Sequence, residues 1–202
     1  EPPYRRTLAD GLRQQGATFT THDGWDRVHL CFGSMEARIA DDGSVGLAED
    51  GDVFVMECWG EDCYAFRCER TGTYLTMRMP NGSAMDDNPL GADRKAAFNW
   101  FVTEVFHLEE QGENTMLLNR FHWPVEVRDG VLTSGRSCLG TPVNIRRVED
   151  GVAKAAEAAA QAQVVVLALG SNPVIPAKEE YDRHTLLLPE HQQRLMEAVH
   201  QA

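Results

Sequence analysis

The chain has 202 residues, room for one large or two small domains, and 43% of them are hydrophobic, which supplies a packed core and excludes a disordered chain. Its 19 basic and 31 acidic side chains leave a formal net charge of −12, which argues against nucleic acid as a partner, because phosphate-backbone binders cluster Lys and Arg. The longest apolar run, residues 164–169, falls far short of the roughly 20 residues that cross a bilayer, so no membrane partner is expected.

The start, Glu1-Pro2-Pro3-Tyr4, has neither the basic opening nor the apolar stretch of a signal peptide, and the chain reads as an excised piece of a longer protein. Five cysteines are an odd number in a chain large enough to fold without staples. This composition argues against a disulfide framework and for a reducing, cytoplasmic compartment, with secretion the alternative because the start of the longer protein is absent.

Leu8 and Leu12 share one face of a first helix, with Thr7 as its cap and Gly16 as its stop. Residues 17–20 alternate and carry threonine, as a short strand would. From 27 to 148 helical periodicity disappears. Short alternating runs instead flank Asp42-Gly43, Asn81-Gly82 and Asp129-Gly130, the dipeptides of tight turns. The runs include Val28-His29-Leu30-Cys31, Cys63-Tyr64-Ala65-Phe66-Arg67 and Thr115-Met116-Leu117-Leu118. A second marker, Phe54-Val55-Met56-Glu57-Cys58-Trp59, is echoed at 101–106 and again at 143–148. Units of about 40–50 residues with roughly four strands each, repeated three times, predict a β-trefoil, since such units bury their apolar faces only by closing on one another. A propeller needs four or more blades. An irregular sandwich is the alternative.

After Asp150 the grammar changes to α/β. Residues 152–163 are alanine-rich and read as a helix capped by Asp150. The run 164–169 is continuously apolar, as a parallel strand buried on both faces is, and Gly170 ends it. Pro189 opens a last helix with Leu195, Met196 and Val199 on one stripe. The expected fold is therefore α+β overall: a β-trefoil over 27–148 inserted into a partial α/β domain made of 1–26 and 149–202. Ligands of parallel sheets gather beyond the carboxyl ends of the strands, which points to the charged segment Lys178-Glu179-Glu180-Tyr181-Asp182-Arg183-His184. It is read either as a solvated surface loop or as general acid/base machinery.

The tail resembles the C-terminal α/β-sandwich domain of glycoside hydrolase family 3. The matching string is an Ala-rich helix, the Val-Val-Val-Leu strand, Gly170-Ser171-Asn172-Pro173, Lys178 to Arg183, then Thr185-Leu186-Leu187-Leu188-Pro189 and Gln193-Arg194-Leu195. Thr7-Leu8-Ala9-Asp10-Gly11-Leu12 looks like the segment just upstream in the same domain. The central block is similar to fascin-like β-trefoils, through Phe66-Arg67-Cys68 followed by Thr71-Gly72-Thr73-Tyr74-Leu75-Thr76.

The resemblance implies a retaining β-glycosidase acting on β-glucosides or β-xylosides, in which an Asp nucleophile on an N-terminal barrel works with a Glu acid/base on a loop of this domain. By the register of Asp182-Arg183 that Glu is Glu179. Glu180 is the alternative, because many members carry Gly at that position. Asp182 and Arg183 are expected to hold the loop. The chain contains no Ser-Asp-Trp or Lys-His-Phe stretch of the barrel type, so alone it is expected not to turn over substrate. Expected partners are the carbohydrate substrate, the barrel domain and, in a dimer, a second copy. No cofactor is expected, nor a metal: Cys58, Cys63 and Cys68 are spaced by five, which fits no zinc pattern. Trp59 and Trp100 read as core, whereas Trp123, between His122 and Pro124, is the candidate sugar platform. A non-catalytic carbohydrate-binding or oligomerisation module is the rival reading.

Overall fold

The computed structural model describes residues 7–80, 82–83, 85–97, 102–170 and 184–202. Among the described residues the chain is mostly β-sheet, with twelve strands between helical ends. Helix α1 (Leu8–Gln14) comes first, and the strands then run in order. They are β1 (Asp26–Phe32), β2 (Met35–Ile39), β3 (Val45–Ala48), β4 (Phe54–Cys58), β5 (Tyr64–Cys68) and β6 (Tyr74–Met77). There follow β7 (Asn88–Arg94), β8 (Phe106–Gln111), β9 (Asn114–Asn119), β10 (Val125–Arg128), β11 (Val131–Ser134) and β12 (Asn144–Glu149). Helices α2 (Gly151–Gln161) and α3 (Glu190–Gln201) complete the chain.

The pairing is antiparallel throughout and trefoil-like. β1 pairs with β4, β4 with β5, β5 with β8, β8 with β9, and β12 with β1. A bridge between Met116 and Pro142, reinforced by the Val143 amide donating to the Thr115 carbonyl at 2.9 Å, closes this ring of six strands. The hairpins β2–β3, β6–β7 and β10–β11 cap one end, where β11 pairs with both β3 and β7. Closing a sheet in this way removes the exposed strand edges that invite aggregation.

Local chemistry explains most of these elements. Arg128 pairs with Val131 across Asp129 and Gly130, whose φ of 51° and 77° are both positive, as a two-residue turn between twisted strands requires. Alternate residues send Val28, Leu30, Phe54, Phe66, Leu75, Leu90, Phe106, Leu117 and Leu132 into one core. Each large side chain so buried stabilises the fold by about 1.5–3 kcal/mol. Phe66 and Phe106 meet edge-on at 6.2 Å, the arrangement ring quadrupoles prefer. Asp52, almost fully buried, accepts from the Ile39 amide at 2.8 Å and from Arg70 through both oxygens at 2.7 and 2.9 Å. That fork satisfies a carboxylate whose unpaired burial would be costly.

Four expectations need correction. Residues 17–20 form no strand, because no other described strand offers them a ladder partner. The run 164–169 is likewise unpaired, with Val164 80% and Val166 57% exposed. An apolar run makes a buried strand only where neighbouring strands cover it, and none of the twelve lies beside it. The echo at 101–106 is out of register, since the strand of that unit starts at Phe106 and Val102, with φ of 37°, belongs to the turn before it. On α3, finally, Met196 is exposed and the buried face is His191, Gln192 and Leu195. The caps stand where the residues predict. Thr7 and Asp10 form a capping box on α1, and the Asp150 side chain accepts from the Ala153 amide.

Candidate functional site

Two glycines bring the C-terminal helices onto the β ring. Gly151 opens α2 against the Trp25 backbone, and its amide donates to Asp26 Oδ1 at 2.9 Å. Gly24, with φ of 73°, leaves room for the Leu195 side chain of α3. His191 Nε2 donates to the Gly24 carbonyl at 2.7 Å, and its Nδ1 lies 3.2 Å from the Arg194 guanidinium. The same imidazole stacks on Trp25 at 4.8 Å, and Trp25 leans on Trp59 at 5.5 Å. His191 thus ties α3 to the β ring.

The β4–β5 turn meets the segment 184–194. Gly60, Glu61 and Asp62 all have positive φ (86°, 51° and 56°), an uncommon run of left-handed backbone that folds the turn back over Pro189. Glu61 Oε1 accepts from the His184 amide at 2.8 Å. On the other side, Gln192 grips Gly170 twice: its Oε1 accepts from the Gly170 amide at 2.9 Å and its Nε2 donates to the Gly170 carbonyl at 2.6 Å. The residues flanking 171–183 are therefore anchored at both ends, one end to α3 and the other to the β-rich block.

Beside this junction lies a hollow of about 360 Å³, bordered by Trp59, Tyr64 and the β4–β5 turn on one side and by 185–194 on the other. Burial pushes the Cys58 thiol up to about 12 and the Cys63 thiol up to about 11, so both sulfurs stay protonated and unreactive at neutral pH. Underneath the turn, His107 Nδ1 donates to the Asp62 carbonyl at 3.1 Å while its ring stacks on His122 at 4.1 Å.

Burial, and after it the adjacent His122 ring, hold the His107 imidazole down at about 4. An unfolded chain takes up that proton near 6.5, so it binds more protons than the native state between those values. Stability should accordingly be complete above about 6.5 and fall by up to ~3 kcal/mol as pH drops towards 4. Urea titrations across that window should show the loss, and His107→Gln, which can still donate to the Asp62 carbonyl, should flatten it. An equally steep loss in the variant would assign the effect to other groups.

Glu179, Glu180, Asp182 and Arg183 lie outside the described residues, as does Trp100. Trp123 is half-buried in the turn between β9 and β10, packed on Phe121 at 5.3 Å, with its amide donating to Asn119 Oδ1. Trp59 is not fully buried either: it packs against Cys63, Val102 and Val105 and also borders the hollow. Glu61 and Gln192, which hold the residues flanking 171–183, escaped sequence reasoning. Only the Gly60-Glu61-Asp62 turn composition marked the first, and nothing marked the second.

The fold and this junction describe a β-rich module joined to C-terminal helices. The chain belongs to the glycosyl hydrolase family 3 C-terminal domain family, whose model matches residues 1–202, and so to a domain of glycoside hydrolases. Comparison with curated proteins finds no match. Among solved structures, the chain is similar to that titled "PSL1a-E64 complex", at 11% identity and a TM-score of 0.52, over 68% of this chain and 53% of that one. It is also similar to a salivary protein from Culex quiquefasciatus of the cysteine and tryptophan-rich family. That match has 12% identity and a TM-score of 0.50, over 60% of this chain and 93% of the other. At such identities the likeness concerns the β fold alone.

Proposed function

We propose that the chain supplies the acid/base of a retaining β-glycosidase that removes terminal, non-reducing β-linked glucosyl or xylosyl residues. In this reading Glu179 is the acid/base, with Glu180 the alternative, and Asp182 and Arg183 pair to steady their segment. The barrel domain contributes the carboxylate nucleophile, which attacks the anomeric carbon while Glu179 protonates the departing oxygen. Glu179, now ionised, then takes a proton from the water that displaces the enzyme carboxylate from that carbon. Retention follows from the two inversions and requires the carboxyls to stand roughly 5–5.5 Å apart.

The β-rich block, 27–148, is on this account a fascin-like trefoil set into an α/β sandwich whose pieces are 1–26 and 149–202. The observation that carries the reading is the family match over the whole chain. The anchoring of His184 by Glu61 of the β4–β5 turn, with that of Gly170 by Gln192, gives the inserted block a physical part in it, because the residues on either side of 171–183 are tied down. Trp123 offers a further sugar contact at the rim of β9–β10. The test is the stereochemistry of hydrolysis by the full-length enzyme, followed by proton NMR on an aryl β-glycoside. The β-anomer of the free sugar should appear first; the α-anomer appearing first would overturn the mechanism.

A further inference from the structure

The hollow between the β4–β5 turn and the start of α3 has the make-up of a sugar site. One wall carries the aromatic Trp59 and Tyr64 together with Glu61 and Asp62 of the β4–β5 turn, and the facing rim carries Thr185, Glu190 and Arg194. The indole is held rigidly, since its Nε1 donates to Glu57 Oε2 at 3.2 Å. Glu57 is buried, and it accepts in turn from the Tyr74 hydroxyl at 2.8 Å and from Arg67 Nε at 3.3 Å. A locked indole loses little freedom when a ring packs on it, which is how preorganised binding surfaces save affinity.

The polar rim narrows the ligand class. Three carboxylates, those of Glu61, Asp62 and Glu190, and the Arg194 guanidinium supply acceptors and donors together, with an excess of negative charge that disfavours a phosphate or another anion. A neutral polyhydroxy ring, apolar on its faces and hydroxylated at its edge, meets both kinds of surface. The volume of about 360 Å³ lies at the small end of ligand pockets and suits one or two pyranose rings. Asp62 has no side-chain partner among the described residues, so its carboxylate is available to a hydroxyl.

We propose that this hollow binds the sugar on the leaving-group side of the scissile bond, so that the inserted β block selects the aglycone. The inference rests on the glycosidase reading above. A general acid touches the leaving oxygen, and the chain reaches the rim of the hollow at Thr185, directly after the acidic segment. In this proposal the part of the substrate past the acid is the part that meets Trp59 and Asp62.

The experiment compares kcat/KM of the full-length enzyme on cellobiose with that on β-glucosyl fluoride, whose leaving group is too small to reach the hollow; xylobiose and β-xylosyl fluoride form the matching pair for a xylosidase. Trp59→Ala should lower the disaccharide-to-fluoride ratio at least about tenfold. Because Trp59 also packs on Val102 and Val105, a second variant guards against misfolding. Asp62→Asn keeps a residue type that accepts left-handed backbone, and it should lower the same ratio by about threefold with little change in melting temperature. An unchanged ratio in both variants overturns the inference. If the wild-type enzyme cleaves neither substrate pair, the glycosidase reading fails instead, and titration with cellobiose then decides the hollow. Saturable quenching of tryptophan fluorescence that Trp59→Ala abolishes upholds sugar binding, and no saturable change up to ~50 mM overturns it.

Discussion

Replacing Gly151 by alanine is expected to cost about 3 kcal/mol and to free the two C-terminal helices from the β ring. A Cβ at Gly151 would fall inside the Trp25 carbonyl group and 2.6 Å from the Gly24 carbonyl carbon. These are main-chain atoms, which cannot swing aside as the end of a side chain can, so the helix itself must move. Its movement breaks the bond from the Gly151 amide to Asp26 and lifts α3, which packs against α2 and carries both His191 and Gln192. The damage should be local. Native-state hydrogen exchange should show amides of α2 and α3 exchanging faster while those around Leu30, Phe66 and Leu117 stay protected. In the full-length enzyme the same change should lower kcat, because Gln192 no longer holds Gly170. A variant as stable as wild type, with helix protection intact, would contradict this account of the junction.

The parts of the fold that local chemistry dictates are legible in the sequence. Asp42-Gly43 and Asp129-Gly130 mark their turns, and alternation marks β1, β5, β9 and β10. Thr7 and Asp150 declare their helices through the caps they form. What depends on distant partners is not legible. β7 carries Pro89, Gly91, Asp93 and Arg94, a poor composition for a strand, yet β6 and β11 pair with it from either side. At Gly91 the Arg78 side chain crosses where a Cβ would sit and would have to move for any larger residue. The run 164–169 fails in the opposite sense: its composition suits a buried strand, but no described strand covers it.

The candidate site divides the same way. The acidic segment 178–184 is visible from composition, and its place in the family comes from the spacing of the whole tail. Its supports are not visible, because Glu61 and His184 are 123 residues apart and a Gly-Glu-Asp turn reads as solvated surface. The same distance hides the hollow, which is lined by residues 58–64 and by residues 185–194. His107 was equally silent in the sequence, since its carbonyl partner Asp62 lies 45 residues away.

The central claim is that Glu179 is the acid/base, and loss of such a group costs a rate factor of about 10²–10⁴. An aryl β-glycoside with a good leaving group needs no proton in the first step, so the glycosyl-enzyme still forms in Glu179→Ala and then accumulates, because no base activates water. Azide needs no base. Added to Glu179→Ala, it should restore turnover and yield the β-glycosyl azide, while Glu180→Ala should stay within about threefold of wild type and give no azide product. Normal turnover by Glu179→Ala without azide, or azide rescue confined to Glu180→Ala, would contradict the assignment.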